Sequence, residues 1–341
     1  MKYWDIRHIL PYQRNFNFIN GPRSIGKTYG CQKYFLQRAI EKGEEFVYIV
    51  RTKDLINNGA FEAAFRKVVQ KEFPDVTLKF TLTECVHEID GAKVEKIPLG
   101  YCIALSDYVN VKKQSYPNVR WLLFDEYMLE ATDTSRYVKG WKEPDILLNI
   151  YQSIDRDEDR VTCFLLGNNT SFYNPYHMHP AFGIPNVKPG GIWYSDNVLF
   201  EWAQASIQLK EDKSATKFGK MISNTSYNKY ANEGQYMDDN YSFIAPRPKT
   251  ARCYYTIVYC GNTFGVWADV KQGLVYIDQK TDPSNTLIYA LTTDDHRENT
   301  MISRGNITLL KWLSKQYKIG NVRYVNMTVK TLADPGIKLI L

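Results

Sequence analysis

At 341 residues the chain is too long for one typical hydrophobic core, so we expect two domains. Its composition, 44% hydrophobic and 23% charged, excludes a largely disordered protein, and no apolar run reaches the roughly 20 residues of a membrane helix. The formal net charge of +6 permits contact with a polyanion without establishing one, and we expect a soluble, intracellular protein.

The chain opens with a polar and aromatic segment, residues 1–14, in which Tyr12 or Gln13 could contact a nucleotide base. An ordinary surface segment is the alternative. Polar and apolar residues then alternate over 15–20, which predicts a strand, and residues 29–40 have the pattern of a helix. The eight residues between them match the phosphate-binding pattern G-x-x-x-x-G-K-[ST] at every fixed position. These residues are Gly21, Pro22, Arg23, Ser24, Ile25, Gly26, Lys27 and Thr28.

Each fixed residue of this loop has a chemical reason to be there. Gly21 and Gly26 allow backbone angles that turn the N–H groups inward, toward phosphate oxygens. Lys27 is expected on the β- and γ-phosphates, and the Thr28 hydroxyl is expected to bind Mg²⁺. A strand, a glycine-rich turn and a helix in this order predict an ATP site.

The second predicted strand, residues 45–50, is followed by Arg51 and Lys53. Residues at the carboxyl ends of parallel strands face the ligand crevice, so both cations are candidates for phosphate contact, in this subunit or a neighbouring one. A solvated strand end is the alternative interpretation.

A helix is predicted over 61–73, ending at Pro74, and a strand over 78–89, followed by a hairpin turn at Asp90-Gly91. After a short strand at 101–105 comes a basic loop that contains Lys112 and Lys113. These lysines are candidates for DNA phosphate contacts if the protein moves along DNA. Exposed, solvated lysines are the simpler alternative.

Four apolar residues in the segment 120–126 precede Asp125 and Glu126, which indicates a buried strand that ends in two carboxylates. Asp125 is expected to hold Mg²⁺, and Glu126 is expected to act as the general base on the attacking water. The second acid favours hydrolysis of a nucleoside triphosphate over a small-molecule kinase.

A predicted helix at 147–154 precedes Arg156 and Arg160. Either arginine could be a finger that neutralises the γ-phosphate of a neighbouring subunit, although a salt-bridged surface turn is the alternative. The next apolar strand, 161–166, leads to Asn168, which could sense the γ-phosphate or position the water.

These elements predict an α/β fold with a mostly parallel sheet, of the additional-strand, catalytic-glutamate P-loop NTPase class, over residues 1–205. Residues 206–245 are lysine-rich and are interpreted as a linker or small subdomain. Residues 246–341 show a three-strand meander and a helix near 302–317, which suggests an α+β, ribonuclease-H-like docking domain. The acids available for metal-dependent cleavage in that domain are Asp269, Asp278, Asp294 and Asp295, and its first strand lacks one.

Over nearly its whole length the chain resembles the DNA-packaging ATPases of phi29-like phages. The matching segments are 17–28, 116–119, 124–126, 265–270, 273–278 and 291–295. The resemblance implies a homo-oligomeric ring, expected to be a pentamer, that uses ATP and Mg²⁺ to move double-stranded DNA into a procapsid. It implies docking on the portal, in some relatives through a structural RNA, and a place in the host cytoplasm with no membrane contact.

The resemblance also favours Arg156 over Arg160 as the trans-acting finger and places Lys53 at the subunit interface. The chain departs from the family at 157–159, which is more acidic here and leaves the partner of the finger open. Two alternatives to the motor remain. One is a terminase-like nuclease and ATPase whose C-terminal acids cut DNA, and the other is a scaffold that uses ATP only to assemble.

Overall fold

The computed structural model describes residues 2–89, 94–129, 136–225, 228, 241–302 and 307–341. The chain divides into two compact units, Met1–Asp239 and Asn240–Leu341. The predicted divisions after residues 205 and 245 stay predictions, and the predicted turn at Asp90-Gly91 lies outside the described residues. Within the described ranges, every helix is too short or too polar to cross a bilayer.

The first unit alternates strands and helices along most of its length. Its strands are β1 (Phe16–Asn20), β2 (Glu45–Val50), β3 (Leu78–Phe80), β4 (Glu84–Ile89), β5 (Glu95–Ala104), β6 (Val119–Asp125), β7 (Thr162–Gly167), β8 (Ile192–Tyr194) and β9 (Val198–Trp202). Its helices are α1 (Lys27–Lys42), α2 (Lys53–Asn57), α3 (Ala60–Glu72), α4 (Tyr108–Val111), α5 (Glu143–Asp155), α6 (Ile207–Ala215) and α7 (Lys217–Ile222).

The described strands of the first unit form one sheet in the order β3-β4-β5-β2-β6-β7-β1-β9-β8. From β5 to β9 every neighbouring pair is parallel, while β3, β4 and β8 pair antiparallel at the two edges. The predicted α/β fold with a mostly parallel sheet is therefore confirmed. Strand β7 lies between β1 and β6, so the ends of these three strands are side by side.

Both faces of this sheet are covered. Neighbouring residues of a strand belong to different core clusters, one on each face of the sheet. In β1, Phe18 packs with α5 on one face and Ile19 packs with α1 and α3 on the other. In β6, Phe124 and Leu123 are divided in the same way. A strand buried on both faces is a continuous apolar run, which is why β6 could be read from the sequence.

Several elements differ in their bounds from the sequence prediction, and two of these differences have a visible local feature. Residues 78–89 form two antiparallel strands rather than one, because the Thr81 hydroxyl accepts hydrogen bonds from the N–H groups of Thr83 (3.3 Å) and Glu84 (2.9 Å) and turns the chain. Helix α5 begins at Glu143 rather than near 147, with a proline in its first turn.

The second unit contains the strands β10 (Arg252–Tyr259), β11 (Asn262–Asp269), β12 (Leu274–Asp278), β13 (Ile288–Ala290), β14 (Met301–Ile302) and β15 (Val322–Tyr324). Its helices are α8 (Thr308–Lys318) and α9 (Met327–Lys338). The predicted meander is confirmed as the antiparallel run β10-β11-β12, with β13 parallel to β10 and β14 parallel to β13. Apolar residues of both helices pack with apolar residues of the strands in one core cluster.

Candidate functional site

The loop between β1 and α1 depends on its two fixed glycines. Gly26 has a φ of +98°, in the left-handed region that side chains rarely adopt, and it caps the first turn of α1. A Cβ on Gly21 would lie 2.7 Å from the carbonyl oxygen of Ala203, which is a clash with the backbone. The loop therefore fits against the chain only with glycine at both positions.

Lys27 lies inside this loop. Its Nζ donates hydrogen bonds to the carbonyl oxygens of Gly21 (2.9 Å) and Pro22 (3.0 Å), and the side chain is buried. Burial lowers the pKa of Lys27 to about 8, although the Asp125 carboxylate nearby acts in the opposite direction. The loop thus holds a cation that is partly removed from water and is satisfied by carbonyl dipoles.

Asp125 ends β6 beside the loop. Its carboxylate accepts a hydrogen bond from the Glu126 N–H at 3.1 Å. Burial raises the pKa of Asp125 to about 6, against the opposite effect of the nearby Thr28 hydroxyl. A hydroxyl oxygen next to a carboxylate is a pair of hard oxygen donors, which fits Mg²⁺.

Glu126 and Asn168 line the same cleft as Lys27, Thr28 and Asp125, and this cleft encloses about 1400 Å³. Glu126 is exposed and has a φ of +56°, which directs its side chain differently from those along β6. Asn168 follows β7, and it comes near the loop because β7 pairs with both β1 and β6. The arrangement places the candidate phosphate donors, the candidate metal ligands and the candidate carboxylate base around one space.

The N-terminal segment lines this cleft with different residues from those predicted. The cleft includes residues 3–7, and the Trp4 N–H donates to the Ile25 carbonyl at 2.8 Å. Tyr12 instead packs against Tyr194, with the ring centres 5.1 Å apart. The base contact predicted for Tyr12 or Gln13 is not favoured, because neither residue lines the cleft.

Arg51 lies behind the cleft rather than in it. Its guanidinium donates to the buried Glu143 carboxylate at 3.1 Å and to the carbonyl oxygen of Tyr127 at 2.9 Å. It also donates to the carbonyl of Glu126 at 3.3 Å, so it fixes the backbone that carries the candidate base. These contacts do not favour the predicted phosphate contact of Arg51. Sequence reasoning missed Glu143, because it precedes the helix predicted at 147–154 and no local pattern marks its burial.

The other candidate cations lie at the surface. Lys53 is exposed and forms an ion pair with Asp107 at 3.5 Å. Lys112 is exposed and donates to the side chain of Asn149 at 3.2 Å, and Lys113 beside it is exposed as well. Their predicted contacts with a neighbouring subunit or with DNA stay predictions.

The structure distinguishes the two candidate fingers. Arg160 donates to the carbonyl of Val119 at 2.6 Å and pairs with Glu158 at 2.7 Å, so its guanidinium fixes the local fold. Arg156 caps the end of α5 with a φ of +56°, and its side chain is exposed with no hydrogen-bond partner among the described residues. Arg156 does not line the cleft of its own subunit.

A buried histidine contacts the side chain of Tyr127, the residue that follows Glu126. His177 Nδ1 donates to the Phe172 carbonyl at 2.9 Å, and Nε2 lies 2.6 Å from the Tyr127 hydroxyl. Burial lowers the pKa of His177 to about 3, so the folded protein keeps this imidazole neutral. Both ring nitrogens have a partner in an apolar environment, which explains why this side chain is structural.

The low pKa of His177 predicts that the folded protein loses stability in acid. Between the ordinary pKa of 6.5 and about 3, the unfolded chain binds a proton that the folded chain does not. Stability should therefore fall as the pH drops below 6.5, by up to about 1.4 kcal/mol per pH unit from this group. The free energy of unfolding in urea, determined for the wild type and for His177→Gln at pH 7.5 and at pH 5, measures this loss of stability. The variant should lose less stability on acidification, and equal losses would contradict the assignment.

The acids of the second unit have structural contacts. Asp269 accepts from the Thr250 hydroxyl at 2.5 Å, Asp278 pairs with Arg247 at 2.8 Å, and Asp295 accepts from backbone N–H groups at the β10–β11 turn. Within the described ranges, no three acids, histidines or cysteines are grouped to hold a metal ion. These contacts do not favour the nuclease interpretation.

Comparison of the sequence and the structure with known proteins identifies the family of this chain. Residues 1–338 match the sequence profile of the family described as Podovirus DNA encapsidation protein (Gp16). The chain is 34% identical to the DNA packaging protein of Bacillus phage PZA over 333 residues, which are 97% of this chain and 96% of the relative. A chain of the bacteriophage Phi-29 viral genome packaging motor assembly is 32% identical with a TM-score of 0.74, and the match covers all of both chains. The crystal structure of the N-terminal domain of the DNA packaging ATPase from bacteriophage phi29 is 30% identical with a TM-score of 0.51, and it covers 60% of this chain and 98% of its own.

Proposed function

Since the chain belongs to the Podovirus DNA encapsidation protein (Gp16) family, we propose that it hydrolyses ATP to package phage DNA into a procapsid. The observation that carries this proposal is that Thr28 of the phosphate loop and Asp125 at the end of the acidic strand line one cleft. Glu126 lines the same cleft. Phosphate binding and water activation thus meet at one place.

Each residue of the site has a role in hydrolysis. The backbone N–H groups of the loop bind the phosphates, and Lys27 moves from the carbonyls of Gly21 and Pro22 to the β- and γ-phosphates. Thr28 and Asp125 would hold Mg²⁺, which would supply positive charge to the phosphate oxygens. Glu126 takes the proton of the attacking water.

Two further residues act on the γ-phosphate in this proposal. Asn168, at the end of the strand between the loop and the acidic strand, positions the water. Arg156 completes the site of a neighbouring subunit, because it is exposed at the end of α5 and outside its own cleft. A residue that serves another subunit's site requires a neighbour in contact, and a closed ring gives every subunit such a neighbour. We propose a pentamer. Lys53 lies at the ring interface.

The topology supports the finer fold assignments. Strand β7 lies between β1 and β6. In this proposal β7 is the additional strand of the catalytic-glutamate P-loop class. In the second unit, the order β12-β11-β10-β13-β14 supports a ribonuclease-H-like fold. We keep the domains 1–205, 206–245 and 246–341 as proposals, with the last docking on the portal, directly or through a structural RNA.

The polyanion in this proposal is double-stranded DNA. Lys112 and Lys113 present two adjacent charges on the surface, and they are the candidate contacts with the duplex backbone. The motor would act in the host cytoplasm while it is attached to the procapsid.

A packaging assay tests the function. Purified protein, procapsids and phage DNA should yield nuclease-protected DNA with Mg·ATP, and essentially none with a non-hydrolysable ATP analogue or after chelation of Mg²⁺, because translocation needs turnover. Equal protection with ATP and with the analogue would support a scaffold instead. Metal-dependent nicking of the DNA by the protein alone would support the nuclease alternative.

A further inference from the structure

Helix α6 places a second lysine on the phosphate loop. Lys213 Nζ donates a hydrogen bond to the carbonyl oxygen of Arg23, at 2.5 Å, although the two residues are 190 positions apart. No nucleotide-binding pattern covers this helix, which lies in the segment interpreted from sequence as a linker. The contact therefore brings that segment to the phosphate loop, although Lys213 itself does not line the cleft.

The helix is anchored where it meets the loop. Ser206 caps it by accepting from the Leu209 N–H at 3.2 Å, and its hydroxyl donates to the carbonyl of Lys2 at 2.9 Å. Asp212 pairs with Lys2 at 2.7 Å, and Leu209 is buried in the core that includes α1. Lys213 is consequently presented by a fixed helix rather than by a mobile tail.

Lys213 adds a second ammonium group beside the phosphate loop. Lys213 is half-buried, and it has no carboxylate within ion-pair distance in the part of the chain that the structure describes. Burial lowers the pKa of Lys213, and its charge in turn lowers the pKa of Lys27. Both ammonium groups donate hydrogen bonds to carbonyl oxygens of the loop. Lys27 donates to those of Gly21 and Pro22, and Lys213 donates to that of Arg23. Partly desolvated cations in this arrangement favour the arrival of an anion.

We propose that Lys213 is a ligand for a phosphate group of the nucleotide in the loop, and that it leaves the Arg23 carbonyl when the nucleotide binds. The inference rests on the proposed function, since it assigns a further residue to the same site. Its consequence is that α6, and the lysine-rich segment that α6 opens, responds directly to whether the loop is occupied.

Nucleotide titration tests the inference. Lys213→Met keeps the aliphatic stem and removes the charge, and Lys217→Ala removes an exposed lysine from the next helix as a control. With fluorescent Mg·ATP, Mg·ADP and pyrophosphate as probes, we expect the Kd of Lys213→Met to rise about tenfold for at least Mg·ATP, as loss of one charge-assisted hydrogen bond does. Lys213→Arg should recover part of the affinity, and the control should bind as the wild type does.

A second measurement uses the unaltered protein. Bound Mg·ATP should protect Lys213 from an amine-acylating reagent, read by peptide mass spectrometry, while Lys217 reacts equally with and without nucleotide. Unchanged Kd values for all three probes, or no protection of Lys213, would overturn the inference. If the wild type bound no nucleotide at all, the proposed function itself would fail, so the two failures are distinguishable.

Discussion

The Glu126→Gln variant should bind Mg·ATP with nearly wild-type affinity and hydrolyse it about 10³-fold more slowly, because general base catalysis contributes about that much. Glutamine has the same size but cannot take a proton from water. We expect the substitution to change hydrolysis without disturbing the fold, because the Glu126 side chain is exposed in the cleft. Arg51, which pairs with Glu143, holds the Glu126 backbone independently of its carboxylate. Phosphate release and a fluorescent nucleotide titration measure the two quantities separately.

Glu41→Gln is the matched control for this variant. Glu41 is an exposed acid of α1 that lines the same cleft, but it follows the loop by several helical turns. Its substitution should leave turnover within about twofold of the wild type, as most surface substitutions do. A Glu126→Gln protein that hydrolyses ATP as fast as Glu41→Gln would remove Glu126 from its role.

The Arg156→Ala variant should lose at least about 10³-fold in ATP turnover, the range attributed to arginine fingers. A mixture of Arg156→Ala and Glu126→Gln subunits should recover activity, although each protein alone is inactive. In a mixed ring, an Arg156→Ala subunit supplies an intact Glu126, and its Glu126→Gln neighbour supplies an intact finger. With equal amounts, about a quarter of the interfaces are complete.

The recovery should depend on ring assembly, so it should disappear on dilution below the concentration at which the subunits associate. The reference for the recovered ATP turnover is the turnover of wild-type protein mixed with inactive protein in the same buffer. A mixture with no more activity than its two components would argue against a shared site. Full activity of Arg156→Ala alone would exclude the finger.

The parts of the site that sequence predicted are those in which chemistry fixes both residue type and spacing. The loop from Gly21 to Thr28 and the pair Asp125-Glu126 are local patterns, and the apolar run of β6 marks its own burial. Since parallel strands end at one edge of a sheet, the nearness of Asn168 followed from the predicted order.

The parts that sequence missed depend on contacts between distant residues. The buried pair of Arg51 and Glu143, and the contact of Lys213 with the loop, join positions far apart in the chain, and no local pattern marks them. The break of the strand at Thr81 depends on one hydroxyl that forms a turn, where alternation alone predicted continuous extension. Charged side chains were predicted to face solvent or ligand, while Arg51 is buried against a carboxylate.

The most direct test of the account follows phosphate release and nuclease-protected DNA together in one packaging reaction, with wild-type protein and with Glu126→Gln. If the cleft between β1 and β6 drives the DNA, both signals should rise together for the wild type and both should be absent for the variant, even though the variant still binds ATP. Protected DNA that accumulates at the wild-type rate while phosphate release is lost would contradict the link between this site and DNA movement.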